Sequence, residues 1–355
     1  MSERCVVVGA GGISGAWFPP LKAEGVDIAA IVDLHLEAAV GRAKQYELDS
    51  YTTTSLHRAL RKTRPDFVVD LTVPEAHCKV TCQALRAGCH VIGEKPMAAS
   101  MREARRMVKT AEESGKLYMV SQSRRWDPKH ETLRRTIASG EIGQVTTVNC
   151  DLYLGAHFGG FRDEMPSPLI LDMAIHHFDL ARFFTGLDPV AVYAKEFNPV
   201  GSWYQGDVAA SCIFEMTPSL GAGCHGVRDG APRTGGTVIF TYRGSWCAEG
   251  CHTSWNGDWR IVGDRGTVIY DHDQDPHGQV VAGTEGFNRP LRDAAIATAE
   301  VAYTGMHGAL RELLHYLRTG ERPQTECHDN IKSLAMVFGA IESSRKGKRV
   351  PASGM

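Results

Sequence analysis

Arg4-Cys5-Val6-Val7-Val8-Gly9-Ala10-Gly11-Gly12-Ile13-Ser14-Gly15, continued by the apolar run Val26–Val32 and then Asp33, is the stretch that decides the fold. A short β-branched run, a glycine cluster, a helical stretch and a second apolar run describe a βαβ unit. Gly9 permits the tight turn after the first strand, and Gly11 lets the backbone approach a pyrophosphate. Gly12 and Ile13 lead into the helix N-terminus, whose free N–H groups face the phosphates. The third small position is Ser14, where helix meets sheet. Asp33 ends the second strand about 20 residues on, where a carboxylate accepts from ribose hydroxyls. A carboxylate there repels a 2′-phosphate, and Leu34 and His35 offer no arginine clamp, so the expected cofactor is NAD rather than NADP.

Outward from this unit the alternation continues. Asp66–Thr72, His90–Ile92 and Leu117–Ser121 read as further strands. Leu36–Tyr46, Leu56–Lys62 and His77–Ala87 read as helices, and Ser100 with Glu103 forms a capping box opening another. Past Ser121 the pattern changes. After a helix at Pro128–Ser139, strands are expected at 142–153, Val190–Phe197, Asp207–Glu215, Gly221–Val227, Gly236–Tyr242, Trp259–Val262 and Gly266–Tyr270, with a helix at Leu171–Phe184 and a long loop at Asp271–Arg289. Met306–Arg318 and Asp329–Arg345 close the chain as helices. The expected fold is an α/β Rossmann domain, residues 1–123, followed by an α+β domain, residues 124–355, with a large, mostly antiparallel open sheet. The C-terminal helix is free to pack back on the first domain.

Composition narrows the function classes. In 355 residues, 39 Lys+Arg against 41 Asp+Glu give a net charge of -2. That balance speaks against nucleic acid or an anionic membrane as a partner. No apolar run reaches the ~18 residues of a spanning helix. The N-terminus enters a strand directly, so a cytoplasmic location is expected. The ten cysteines form no CxxC and are expected to be buried free thiols.

Further motifs resemble one family. Glu94-Lys95-Pro96 after Gly88-Cys89-His90-Val91-Ile92, and Asp172-Met173-Ala174-Ile175-His176-His177-Phe178-Asp179, resemble the two signatures of the Gfo/Idh/MocA oxidoreductases, the group of glucose–fructose oxidoreductase and inositol dehydrogenase. Arg124-Arg125-Trp126-Asp127-Pro128, Ile137–Gly143, Gly320-Glu321-Arg322-Pro323 and Ser333-Leu334-Ala335 are also similar. The chain departs from the pattern at Pro166-Ser167-Pro168, where glycines are common, and at Ala174, where the signature has Gly. The resemblance implies a metal-free, NAD-dependent oxidoreductase acting on a sugar, cyclitol or sugar-derived hydroxyl, with Thr72, His77, Glu94 and Lys95 lining the cofactor site.

Oxidising a hydroxyl requires a group that takes the O–H proton and an acceptor facing the C–H. Lys95, at the end of a Rossmann strand, is the candidate proton partner beside the nicotinamide. Asp172 and His176 are four apart and share one helical face. His176 is the candidate shuttle because imidazole titrates near neutrality, with Asp172 orienting it or the substrate. The active cleft is expected between the domains. Trp203, Tyr204, Trp246, Trp255 and Trp259 are candidate sugar-stacking aromatics. Arg125, Trp126, Arg162, His177 and Trp246 are the candidate substrate contacts, and Arg228 is a further arginine able to grip an acidic substituent. His157, His176, His177 and Asp172 could collect zinc, but no metal is expected. Two other classes stay open: a redox-neutral enzyme that cleaves glycosides through transient oxidation, and a non-enzymatic NAD-responsive binding protein. A large sheet with one uncovered face implies a homodimer or homotetramer.

Overall fold

The computed structural model describes residues 2–218 and 237–352. The chain divides into two compact units: Met1–Trp126 with Ala302–Ile331, and Asp127–Val301 with Lys332–Met355.

The first unit is built on β1 (Arg4–Val8), β2 (Asp27–Val32), β3 (Tyr51–Thr53), β4 (Phe67–Asp70), β5 (His90–Gly93) and β6 (Tyr118–Val120). Their order is β3-β2-β1-β4-β5-β6, with every pair parallel. Continuous apolar runs suit strands covered on both faces; Val6, Val7, Val68 and Val69 are fully buried. The intervening helices are α1 (Ser14–Ala23), α2 (Leu36–Gln45), α3 (Leu56–Thr63), α4 (Pro74–Arg86) and α5 (Met101–Ser114). The Ser100 side chain accepts from the Glu103 N–H, and the helix stops at Gly115 in the left-handed conformation. α4 begins earlier than its apolar periodicity indicates, because Pro74 occupies the first turn, where its missing N–H costs nothing. β3, three residues long, is too short to carry a pattern and was not anticipated.

The second unit opens with α6 (Pro128–Ala138), capped by the Asp127 carboxylate, which accepts from the N–H groups of Lys129 and His130. Among the described residues its sheet has nine strands: β7 (Val145–Tyr153), β8 (Leu187–Phe197), β9 (Ala209–Pro218), β10 (Val238–Ser245), β11 (Asp258–Gly263), β12 (Gly266–Tyr270), β13 (His277–Val281), β14 (Leu291–Asp293) and β15 (Val350–Pro351). The order is β14-β13-β12-β11-β7-β10-β9-β8-β15, antiparallel except for the β7–β10 pair. A short helix α7 (Phe161–Glu164) precedes α8 (Ile175–Thr185). Phe178 of α8 packs against Phe214, Phe240 and Tyr242 of the sheet. The expected strand Gly221–Val227, with Cys224 and Arg228, lies outside the described residues.

Three expectations are corrected. Asp271–Arg289 is not one loop, since it contains β13, whose His277-Gly278-Gln279 carries almost no apolar signal. The helix expected from Leu171 is a π-helical turn over Leu169–Ala174 that passes into α8. The chain does not divide once near residue 123. The first unit runs to Trp126 and takes back 302–331, including α9 (Gly305–Thr319). A Cβ added at Gly308 would lie 2.4 Å from Trp126 Cγ, and the Gly305 N–H donates to Trp126 O at 3.0 Å. Such a return leaves no local trace in sequence. The helix α10 (Cys327–Lys346) begins in the first unit and ends in the second.

No helix among the described residues is long and apolar enough to cross a membrane. Cys5, Cys78, Cys82, Cys89, Cys150, Cys212 and Cys327 are buried; Cys247 is half-buried and Cys251 exposed, against expectation.

Candidate active site

In the first unit the strand order reverses between β1 and β4, where an open α/β sheet binds its ligand. The loops there touch. Gly9 has a φ of +101°, and a Cβ on it would lie 2.6 Å from Leu71 O. Only glycine supplies that conformation and that approach. Among the described residues nothing lies within 4 Å of a Cβ added at Gly11 or Gly12, so the loop is an open cradle with backbone accessible to a ligand. Ile13 is part-exposed at the start of α1, and the Ser14 hydroxyl donates to Gly11 O at 2.6 Å, which explains a serine where glycine is usual.

Asp33 holds one side of this loop: Oδ2 accepts the Ala10 N–H at 2.7 Å and Oδ1 accepts the His35 N–H at 2.8 Å. Arg42 of α2 holds the other, donating from Nε to Ala10 O at 3.2 Å and from Nη2 to Gly11 O at 2.8 Å. With those carbonyls tied back, the loop is pre-organised. Arg42 escaped the sequence reading because it lies outside the glycine motif; its register on α2 was the available signal.

Beyond β4, Thr72 donates its hydroxyl to Asp70 Oδ1 at 2.6 Å, and Thr81 donates to Oδ2 at 3.0 Å. Burial raises the Asp70 carboxyl above its ordinary range. His77 is not exposed toward a ligand: its ring lies buried between Thr72 O and Pro96 O, 2.9 Å from each. It cross-braces the segments after β4 and β5. Glu94 is also buried, accepts Trp17 Nε1–H at 2.8 Å and the Lys95 N–H at 3.2 Å, and is pushed up by burial. Lys95 is therefore a half-buried side chain on a backbone fixed from both sides. The Lys95–Pro96 bond is cis.

In the second unit, Arg162 donates from Nε to Asp172 Oδ2 at 2.6 Å, with its guanidinium over the rings of Phe158 and Phe161. Asp172 lies in the π-helical turn, and half-buried His176 opens α8 beyond it. Single π turns within helices are rare and frequently lie at functional sites.

Several candidate contacts are instead structural. His177 is fully buried beside Tyr242 and Trp259. Trp246 is buried under Phe158, and Trp126 is buried against Gly308. Arg125 is buried and donates to Gln324 O at 3.0 Å and Asp329 Oδ2 at 2.9 Å, so its charge is spent holding the start of α10. These residues read as substrate contacts because aromatic and arginine side chains serve cores and ligands alike. Asp179 accepts from Ser333 at 2.7 Å and is structural too. Of the aromatics, Trp259 and Tyr204 are buried, Trp203 stacks on His157, and Trp255 is exposed. His157 approaches Glu249 at 2.9 Å.

Residues 3–122 match the family model described as oxidoreductase family, NAD-binding Rossmann fold, and residues 130–269 match the GFO/IDH/MocA C-terminal domain. The chain belongs to the GFO/IDH/MocA oxidoreductase family. It is 26% identical to a 1,5-anhydro-D-fructose reductase from Ensifer adhaerens, over 98% of this chain and 97% of the relative. It is 27% identical to an inositol 2-dehydrogenase from Rubrobacter xylanophilus, over 98% and 92%. An Agrobacterium radiobacter oxidoreductase, solved with NAD+, L-tartaric acid and magnesium, has the same fold with a TM-score of 0.81, 20% identity and 99% coverage of both chains. As a GFO/IDH/MocA protein the chain is an NAD-dependent oxidoreductase, and the open Gly11-Gly12 cradle with Asp33 at its edge fits that cofactor.

Proposed function

We propose that this chain moves a hydride between NAD and a hydroxyl-bearing carbon of a sugar, cyclitol or sugar derivative. Lys95 and His176 handle the proton, and Asp172 orients the reacting group. The observation that carries the reading is the bracing of Lys95. It follows β5 of the sheet whose β1 loop forms the nucleotide cradle, and Glu94, Trp17 and His77 fix its backbone. NAD supplies the hydride acceptor when bound. Lys95 holds the substrate oxygen and takes part in its proton transfer. His176 passes that proton onward. Asp172, carrying the Arg162 ion pair, accepts hydrogen bonds from substrate hydroxyls while Arg162 restrains its carboxylate. The names of the sugar- and cyclitol-metabolising relatives support this substrate class.

The chain works as a homo-oligomer on this reading. Tyr193 and Ile213 are cross-strand partners on the open face of the sheet, both about half exposed, with Phe197 on the same face. Such a patch is suited to a second copy.

The test is a panel of sugars and cyclitols assayed for NADH formation. Lys95→Ala and His176→Ala should each keep the fold and NAD binding and lose roughly 10²–10⁴-fold in rate. Wild-type turnover by the double variant sinks the proton assignment. Glycoside cleavage without net NADH would show a redox-neutral enzyme instead, and NAD binding without turnover a binding protein.

A further inference from the structure

We propose that the first unit carries a binding site for a zinc-class divalent transition ion, formed by Glu326, Cys327 and His328 at the start of α10 and buttressed by Glu112 of α5. Three different donor types converge there. Glu326 Oε2 and His328 Nδ1 are 2.8 Å apart, Cys327 Sγ is 3.7 Å from Nδ1, and Sγ is 3.8 Å from Oε2. The point equidistant from these atoms lies about 2.0 Å from each, and zinc binds carboxylate oxygen and imidazole nitrogen at about 2.0–2.2 Å and thiolate at about 2.3 Å. Little movement separates this arrangement from a coordination triangle.

The surroundings give an independent reason. Glu112 Oε1 lies 2.9 Å from His328 Nε2, the nitrogen facing away from the triangle. A metal-bound histidine donates its other N–H to a carboxylate in just this way, which fixes ring orientation and tautomer. Glu112 comes from a separate element, so the chain brings a supporting carboxylate to the ring from outside the tripeptide. The polypeptide nearby is held: the Val120 N–H donates to Thr325 O at 3.0 Å, and Met119 bridges Glu326. Three protein ligands leave room for a fourth from solvent. The thiol and imidazole select zinc-class ions over magnesium or calcium, which take oxygen ligands. Cys327 is buried while His328 is part-exposed, so the ion has a path in from the histidine side.

The probes are Zn2+ by calorimetry and Co2+ by absorbance, added to the full-length protein after chelator treatment. The expected result is one saturable equivalent of zinc and a near-ultraviolet cobalt–thiolate band. Cys327→Ser should abolish the band. His328→Asn, at a part-exposed position that leaves folding intact, should weaken zinc at least tenfold, and Glu112→Gln should weaken it about 10–100-fold. Melting curves monitor folding of each variant. Absence of saturable zinc binding, or a band that persists in Cys327→Ser, or unchanged affinity in His328→Asn, overturns the site.

Discussion

Glu196 offers the sharpest test of the second unit's energetics. It lies on the inward face of β8 and is only 4% exposed, and Oε1 has no hydrogen-bond partner among the described residues. Burial lifts its carboxyl from 4.5 to about 7, a rise that the Ser167 hydroxyl partly offsets and neighbouring Asp207 reinforces. The folded chain therefore keeps this proton to about pH 7, whereas the unfolded chain releases it near 4.5. Between those values the folded state binds more protons, so stability falls as pH rises, and the loss is complete above about pH 7. At about 1.4 kcal/mol per pKa unit, the full loss is about 3 kcal/mol. Glu196→Gln removes the ionisable proton while keeping the shape. Below pH 4.5 the variant and the wild type should melt together. At pH 8 the variant should melt several degrees higher, at roughly 2–4 °C per kcal/mol for a unit of this size. Melts followed by circular dichroism across pH 4–8 measure the gap. A gap that does not change with pH refutes the assignment, and a variant less stable at pH 8 refutes it outright.

The nucleotide loop supplies two further expectations. Gly9→Ala should destabilise the first unit by about 1–3 kcal/mol and abolish NAD binding, since its Cβ meets Leu71 O, while Gly12→Ala should fold normally; calorimetry with NAD and thermal melts read both. NAD should bind at least tenfold more tightly than NADP, about 1.4 kcal/mol, and Asp33→Ala should narrow that gap chiefly by weakening NAD; equal wild-type affinities would contradict the role given to Asp33. Arg125→Ala should cost about 1.5–3 kcal/mol by removing a buried guanidinium that bonds Gln324 O and the part-exposed Asp329 carboxylate, yet leave the KM for the sugar unchanged in whatever folds, whereas a raised KM at unchanged stability would restore Arg125 as a substrate contact.

Much of the fold was legible because its signals are local. The Gly9–Ser14 turn, the apolar strands around it and the Ser100–Glu103 cap each depend on neighbours in sequence. What escaped depends on distant partners. Segment 302–331 joins the first unit through Trp126, Gly308 and Thr325, and none of these marks itself as an inter-segment contact. The π turn at Leu169–Ala174 escaped for another reason, since one extra residue in a helical turn leaves the apolar periodicity of Leu171–Phe184 nearly intact.

At the site, residue types were easier to read than residue duties. Glu94 and His77 were expected to line the cofactor site, and both turn out to be buried braces whose hydrogen bonds end on protein groups. This agrees with the chemistry proposed for Lys95. A flexible side chain can handle a proton reliably only if its backbone is immobile, and β5 ends at Gly93, before Lys95 is reached. The positional constraint is then supplied by side chains: Glu94 anchored to Trp17 on α1, and His77 of α4 gripping the carbonyl that follows Lys95. Loss of the His77 ring would release that carbonyl and leave the Lys95 side chain itself in place. The signature therefore encodes a braced backbone around Lys95 as much as the lysine itself.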